Sequence, residues 1–156
     1  MGWRICCCLL AAAGLSLALA TAAPADAGPA RYVGSAACAS CHAGQYERFL
    51  RYSKKSHSSK SLRLMAKGLT EQEQTSCYAC HTTGYGRPGG FTTFTATPEL
   101  ADAGCEVCHG PGSEHAASGD PAVIKSHLTL ADCDPCHNDA RVHSFGYKPL
   151  LHAGAH

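Results

Sequence analysis

Beyond residue 27 the chain has no cysteine outside four short motifs, a single methionine, no apolar stretch long enough to cross a membrane, no repeat of fixed length and almost no net charge. Each absence excludes something. Lysine and arginine number 13 against 12 aspartates and glutamates, a formal charge of +1, so nucleic-acid binding finds no basic excess to support it. With no spare thiol, neither a nucleophilic cysteine nor a bridge outside the motifs is available. The apolar run from Ile5 to Ala20 is short for a membrane span and is followed by Pro24, Asp26 and Pro29. Arg4 precedes it and the small residues Ala25-Asp26-Ala27 follow, so residues 1–27 read as a cleaved signal peptide, with cleavage after Ala22 as the alternative. Cys6, Cys7 and Cys8 are discarded with it; they precede most of the apolar run, the wrong place for a lipid-modified cysteine at the cleavage point. The mature domain is then residues 28–156, delivered to the periplasm or the extracellular space, with no stable membrane span.

What the chain does have is C-x-x-C-H four times: Cys38 to His42, Cys77 to His81, Cys105 to His109 and Cys133 to His137. Zinc or disulfides would account for the cysteines but not for the histidines. Histidine fills 10 of 156 positions, so its presence after all four C-x-x-C units by accident has a chance on the order of one in 10^5. C-x-x-C-H is the attachment signature of c-type haem. Two thiols add across the haem vinyl groups and the adjacent imidazole binds the iron. The sequence thus predicts four covalently bound c-type haems, held by Cys38, Cys41, Cys77, Cys80, Cys105, Cys108, Cys133 and Cys136, with His42, His81, His109 and His137 on the irons. Export agrees with this chemistry, because c-type haem is attached outside the bacterial cytoplasm.

Four haems in residues 28–156 leave about 32 residues for each, too few to wrap every one in an ordinary core. The expected fold is mostly α with little regular sheet, a compact multihaem cytochrome c fold in which the haems form the core. Two propionates per haem and about one positive charge per ferric centre bring the oxidised holoprotein to about −3 and the reduced one to about −7. The basic run from Arg48 to Lys60 reads as a solvated helix face that offsets propionates, with a docking patch for an acidic partner as the competing reading.

Along the chain, 28–35 reads as an extended lead-in. Residues 44–64 carry helical periodicity that sets Tyr46, Phe49, Leu50, Ser53 and His57 on one face. Gly68 is a helix stop, and Thr70-Glu71-Gln72-Glu73 has the capping-box pattern of a new start. The glycine-rich stretch 82–90 reads as a loop and 91–97, alternating aromatics with threonines, as a brief strand; together they cover a haem edge or wall an active site. Pro98 and Glu99 suit a first helical turn, Gly110-Pro111-Gly112 a sharp turn, and Ser113 to Ala117 a restart carrying His115, broken at Asp120-Pro121. Six histidines lie outside the motifs: His57, His115, His127, His143, His152 and His156. Four haems with histidine on both faces need four of them. A filled iron relays electrons, whereas an unfilled one offers substrate a position. Met65 reads as a core or rim residue rather than an iron ligand.

These residues resemble the cytochrome c554 family of tetrahaem cytochromes. The resemblance lies in the first motif followed by Ser56-His57, in Cys80-His81-Thr82-Thr83-Gly84-Tyr85-Gly86 with Gly89-Gly90-Phe91, in Gly104 through Gly112, and in the fourth motif. It implies a compact, mostly helical periplasmic electron carrier with closely stacked haems. It also implies distal iron ligands at His57, His115 and His152, with His143 or His156 as replacements for His152, and a second haem, above His81, without a distal protein ligand unless His127 or His143 supplies one. The expected function is relay of electrons between a redox donor and a redox acceptor protein, more a carrier's role than an enzyme's. The competing functions are a small reductase acting on a nitrogen or sulfur compound at an open haem, and a self-associating subunit of an extracellular cytochrome filament.

Overall fold

The computed structural model describes residues 28–138. Residues 1–27, expected to be a signal peptide, and His143, His152 and His156 lie outside the described residues. Within them the chain is helical, in short pieces: α1 (Ser35–Cys38), α2 (Ala43–Tyr52), α3 (Ser59–Met65), α4 (Glu71–His81), α5 (Glu106–His109) and α6 (Ser113–Ser118), joined by 3-10 turns, with no strand among the described residues. No helix among them is long and apolar enough to cross a membrane.

The local chemistry explains most of these boundaries. The capping box forms as read: Thr70 Oγ1 accepts from the Glu73 amide at 3.3 Å and Glu73 Oε2 accepts from the Thr70 amide at 2.8 Å, which starts α4. Pro98 opens a 3-10 turn ahead of the third motif, and Gly119, at φ 72°, ends α6 before Asp120 caps the next turn.

Two expectations are corrected. The helix expected over 44–64 is interrupted at Ser53, whose backbone is extended at ψ 124°. The Ser56 hydroxyl donates to the Ser53 carbonyl at 2.8 Å, and this local bonding replaces a helical turn. The single apolar face is lost as a result: Phe49 and Ser53 are buried, while Leu50 is 41% exposed and His57 is exposed. The strand expected over 91–97 is a turn. Thr97 Oγ1 accepts from the Thr92 amide and Thr93 Oγ1 from the Ala96 amide, each at 3.0 Å, so the threonines satisfy their own backbone.

The protein's own core is small. Phe91, Leu100 and Ala101 are buried, with Tyr32, Tyr78, Tyr85 and Phe94 packed around them. The Tyr78 ring meets Tyr85, Phe91 and Phe94 edge-on, with centroids 5.2, 5.3 and 5.8 Å away, and the Arg63 guanidinium lies 4.1 Å from the Phe94 centroid. Two loops cross here. Phe91 N–H donates to the Thr83 carbonyl at 2.8 Å, and Thr83 N–H to the Leu100 carbonyl at 2.9 Å. The crossing requires Gly90, because a Cβ there would sit 1.8 Å from the Gly84 carbonyl oxygen.

A second long-range contact holds the lead-in segment. The Arg31 and Ser113 backbones are tied by Ser113 N–H to Arg31 O at 3.1 Å and by Arg31 N–H to Ser113 Oγ at 2.8 Å. Next to it the buried Glu106 carboxylate accepts the amides of Val33, Gly34 and Gly112. The lead-in is therefore fastened to α5 and α6, across some seventy residues of chain.

Candidate haem-binding sites

Each C-x-x-C-H segment folds as one helical turn. In the first, third and fourth the histidine amide donates to the carbonyl of the first cysteine: His42 to Cys38 at 2.9 Å, His109 to Cys105 at 3.1 Å and His137 to Cys133 at 2.9 Å. The second motif lies inside α4. Such a turn brings side chains three apart to the same side, so both thiols and the following imidazole can address one flat group. All eight thiols are unbridged. Among the described residues no three His, Cys, Asp or Glu side chains converge as a metal-ion cage requires.

The turns meet in pairs. The Cys38 and Cys105 thiols share a hydrogen bond, and the Cys105 amide donates to Ser35 Oγ at 3.0 Å, which joins motif one to motif three. The bond with Cys38 is the main cause that draws the Cys105 thiol down to about 6, while the Cys38 thiol is pushed up by the same bond and then by burial. Cys136 hydrogen-bonds Cys80, which joins motif four to motif two; burial first and this bond second push the Cys136 thiol up to about 12. Burial also raises the Cys108 and Cys133 thiols, with Lys55 acting against it at both.

The imidazoles are oriented from behind. His81 Nδ1 donates to the Ser58 carbonyl at 2.9 Å, His109 Nδ1 to the Lys125 carbonyl at 2.7 Å and His115 Nδ1 to the Asp120 carbonyl at 2.9 Å. A carbonyl only accepts, so the proton sits on Nδ1 and Nε2 presents its lone pair, the form an iron ligand needs. Ser58 holds the other side of the same joint: its hydroxyl donates to the His81 carbonyl and accepts the Ala103 amide, both at 2.8 Å. Burial, then Lys55, pushes the His137 imidazole below its ordinary range, which favours the neutral form.

The His42 and His115 rings lie with centroids 6.0 Å apart and planes 23° from parallel. At this spacing and angle the two imidazoles are stacked neighbours. Motifs two and four face a cavity of about 1000 Å³ lined by Cys77, Cys80, His81, Cys136, His137 and His57, with Lys54, Lys55, Lys60 and Leu64 among its other walls. A smaller cavity of about 300 Å³ shares His57, Lys60 and Leu64 and adds Arg63 and Asp102. Thiols on one helical turn, Nε2 lone pairs and a porphyrin-scale cavity with basic walls fit c-type haem.

Of the histidines outside the motifs, the structure thus brings His115 to His42 and His57 to the shared cavity. His127 is exposed and, like Met65, lines neither cavity. Three residues that position the sites were not singled out from the sequence: Ser35, Ser58 and Glu106. Only Glu106 carries a local signal, a lone charge in the glycine-flanked run Gly104-Cys105-Glu106.

Residues 37–110 match the family model described as cytochrome c554 and c-prime. That segment is similar to the cytochrome c554 family. The match supports a c-type cytochrome, an electron carrier with covalently bound haem. The cytochrome c554 match contains the first three C-x-x-C-H turns and the Gly84 and Gly90 crossing; the fourth turn and His115 lie beyond it. No curated protein and no solved structure matches the chain.

Proposed function

We propose that this chain is a periplasmic tetrahaem electron relay, with residues 1–27 removed on export and four haems packed as the core of residues 28–156. The observation that carries the reading is the meeting of the turns: the Cys105 amide bonds Ser35 ahead of the first motif, and the second and fourth motifs line one cavity. Turns that meet in this way put the groups attached to them side by side, and neighbouring haems pass electrons without a carrier between them. Haem supplies one-electron redox chemistry when bound; the chain supplies position. His42, His81, His109 and His137 would bind the irons, and the Nδ1–H bonds of His81 and His109 fix their rings. His115, steadied by Asp120 and beside His42, would serve as a further iron ligand.

The distal assignments of His57 and of a tail histidine at position 152 complete this reading. Lys54, Lys55 and Lys60 line the cavity of motifs two and four, where they would offset propionates. The test is intact-protein mass spectrometry with EPR of the ferric protein. Four haem masses on a leaderless chain are expected, with a low-spin signal from the haem that His115 ligates. Fewer than four attached haems would overturn the tetrahaem reading.

One observation favours a second reading. His81 and His137 both face the 1000 Å³ cavity, yet His57 is its one wall histidine from outside the motifs among the described residues. One distal histidine for two irons would leave one open to a small nitrogen or sulfur compound. A high-spin ferric signal that shifts on adding nitrite or hydroxylamine, with turnover from an artificial donor, would establish it; no turnover and four low-spin haems would remove it.

A further inference from the structure

Glu106 is the one buried acidic side chain among the described residues, at 2% exposure. Its oxygens accept the Val33 amide at 3.0 and 3.1 Å, the Gly34 amide at 2.8 Å and the Gly112 amide at 2.7 Å. Both oxygens act as acceptors only, which is the pattern of an ionised carboxylate. Every one of these donors is an uncharged backbone amide. The ion pair found among the described residues, Lys125 with Asp132, is elsewhere. The anion is thus satisfied by hydrogen bonds but not neutralised by a cation, and it is shielded from the water that would screen it.

Its position gives this charge a target. Glu106 stands between the two attachment cysteines of the third motif and three residues before His109, on the same short α5. Its field is also felt at the Cys38 thiol of the first motif. A ferric haem carries one more positive charge than a ferrous one, so an unscreened anion beside it favours the oxidised state. Backbone donors could have been satisfied by a neutral side chain or by water; a carboxylate adds a fixed charge.

We propose that Glu106 is a positioning residue for electron transfer that lowers the reduction potential of the haem attached at Cys105 and Cys108 through its buried negative charge. This rests on the tetrahaem reading above. The role is separate from ligation, since Glu106 holds its donors and touches no iron ligand through them.

The test is an EPR-monitored redox titration of the holoprotein as wild type, Glu106→Gln and Glu106→Asp. Glu106→Gln raises the affinity of that haem for an electron about tenfold or more, a rise of about 59 mV for a one-electron couple. Glu106→Asp keeps the charge and stays close to wild type, although both variants loosen the packing. Equal shifts in the two variants, or no shift in a folded Glu106→Gln protein, overturn the proposal. Should Glu106→Gln fail to assemble, Val33→Lys decides: a Val33 methyl and Glu106 Oε1 lie 3.6 and 3.2 Å from one point beside Gly112, so the longer, flexible lysine chain starting there can bring its ammonium to the carboxylate. An unchanged potential in Val33→Lys refutes the charge argument. Mass spectrometry of the peptide containing Cys105 and Cys108 separates the two levels. If that peptide carries no haem, the tetrahaem reading fails; if it carries haem and no variant moves the potential, only the role of Glu106 fails.

Discussion

Replacing Gly90 by alanine tests whether the crossing of the two loops is a necessary joint. The added Cβ would meet the Gly84 carbonyl oxygen at 1.8 Å and its Cα at 2.8 Å. Ordinary contact is about 3.5 Å, so the loops must part by about 1.7 Å. The 2.8 Å bond from Phe91 N–H to the Thr83 carbonyl cannot survive that movement, and Phe91 and Thr83 are each 2% exposed. Two buried polar groups left unpaired cost about 1–3 kcal/mol each, and the overpacking adds about 1–3 kcal/mol, for a total of about 5 kcal/mol. Urea denaturation of the holoprotein, followed by far-ultraviolet circular dichroism, is the assay. At about 1.5 kcal/mol per molar urea, the midpoint falls by about 3 M. Gly86→Ala is the control: Gly86 has φ 76° but nothing within 4 Å, so only backbone strain of about 1–2 kcal/mol applies. A Gly90→Ala midpoint no lower than that of Gly86→Ala would refute the reasoning.

Other variants address other joints. Ser58→Ala strands the His81 carbonyl and the Ala103 amide and lowers stability by about 2–4 kcal/mol in the same urea assay. On the proposed ligation, His115→Ala removes a distal imidazole, so a new high-spin ferric EPR signal is expected while the haem content stays the same. Asp132 is held below the usual carboxylate range, first by the bond from Lys125 and then by the Thr129 amide. Its folded pKa is thus the lower one. Its contribution is fully present above the unfolded value of about 3.9 and fades as pH falls through the folded value. Asp132→Asn therefore speeds amide exchange of Cys133, in the turn that leads into the fourth motif, at pH 7, and the difference from wild type disappears in strong acid.

The features legible in the sequence were those whose cause is local. A C-x-x-C-H segment carries its own turn, Thr70 and Glu73 cap each other three residues apart, and Pro98 opens its own 3-10 turn. The stretch from 44 to 64 misleads because its apolar spacing is helical while Ser53 and Ser56 bond to their own backbone, a competition that periodicity does not register. The threonines of 92–97 mislead in the same way: their strand propensity presumes a neighbouring strand, and none is present among the described residues. Ser35 and Glu106 were illegible for a different reason. Their partners lie some seventy residues away, and a serine or a glutamate in sequence says nothing about which distant amide it will meet.

The clasp formed by Arg31, Val33 and Gly34 with Glu106 and Ser113 bears on the order in which the chain matures. A chain emerging N-terminus first presents Cys38 and Cys41 long before Glu106 and Ser113 arrive to close over the lead-in. Closing a loop of that length is entropically costly and must await its far end. The lead-in ahead of the first C-x-x-C-H turn therefore stays unfastened until residues 106–113 have followed. The spacing between the first and third motifs thus sets the size of the loop that this contact has to close.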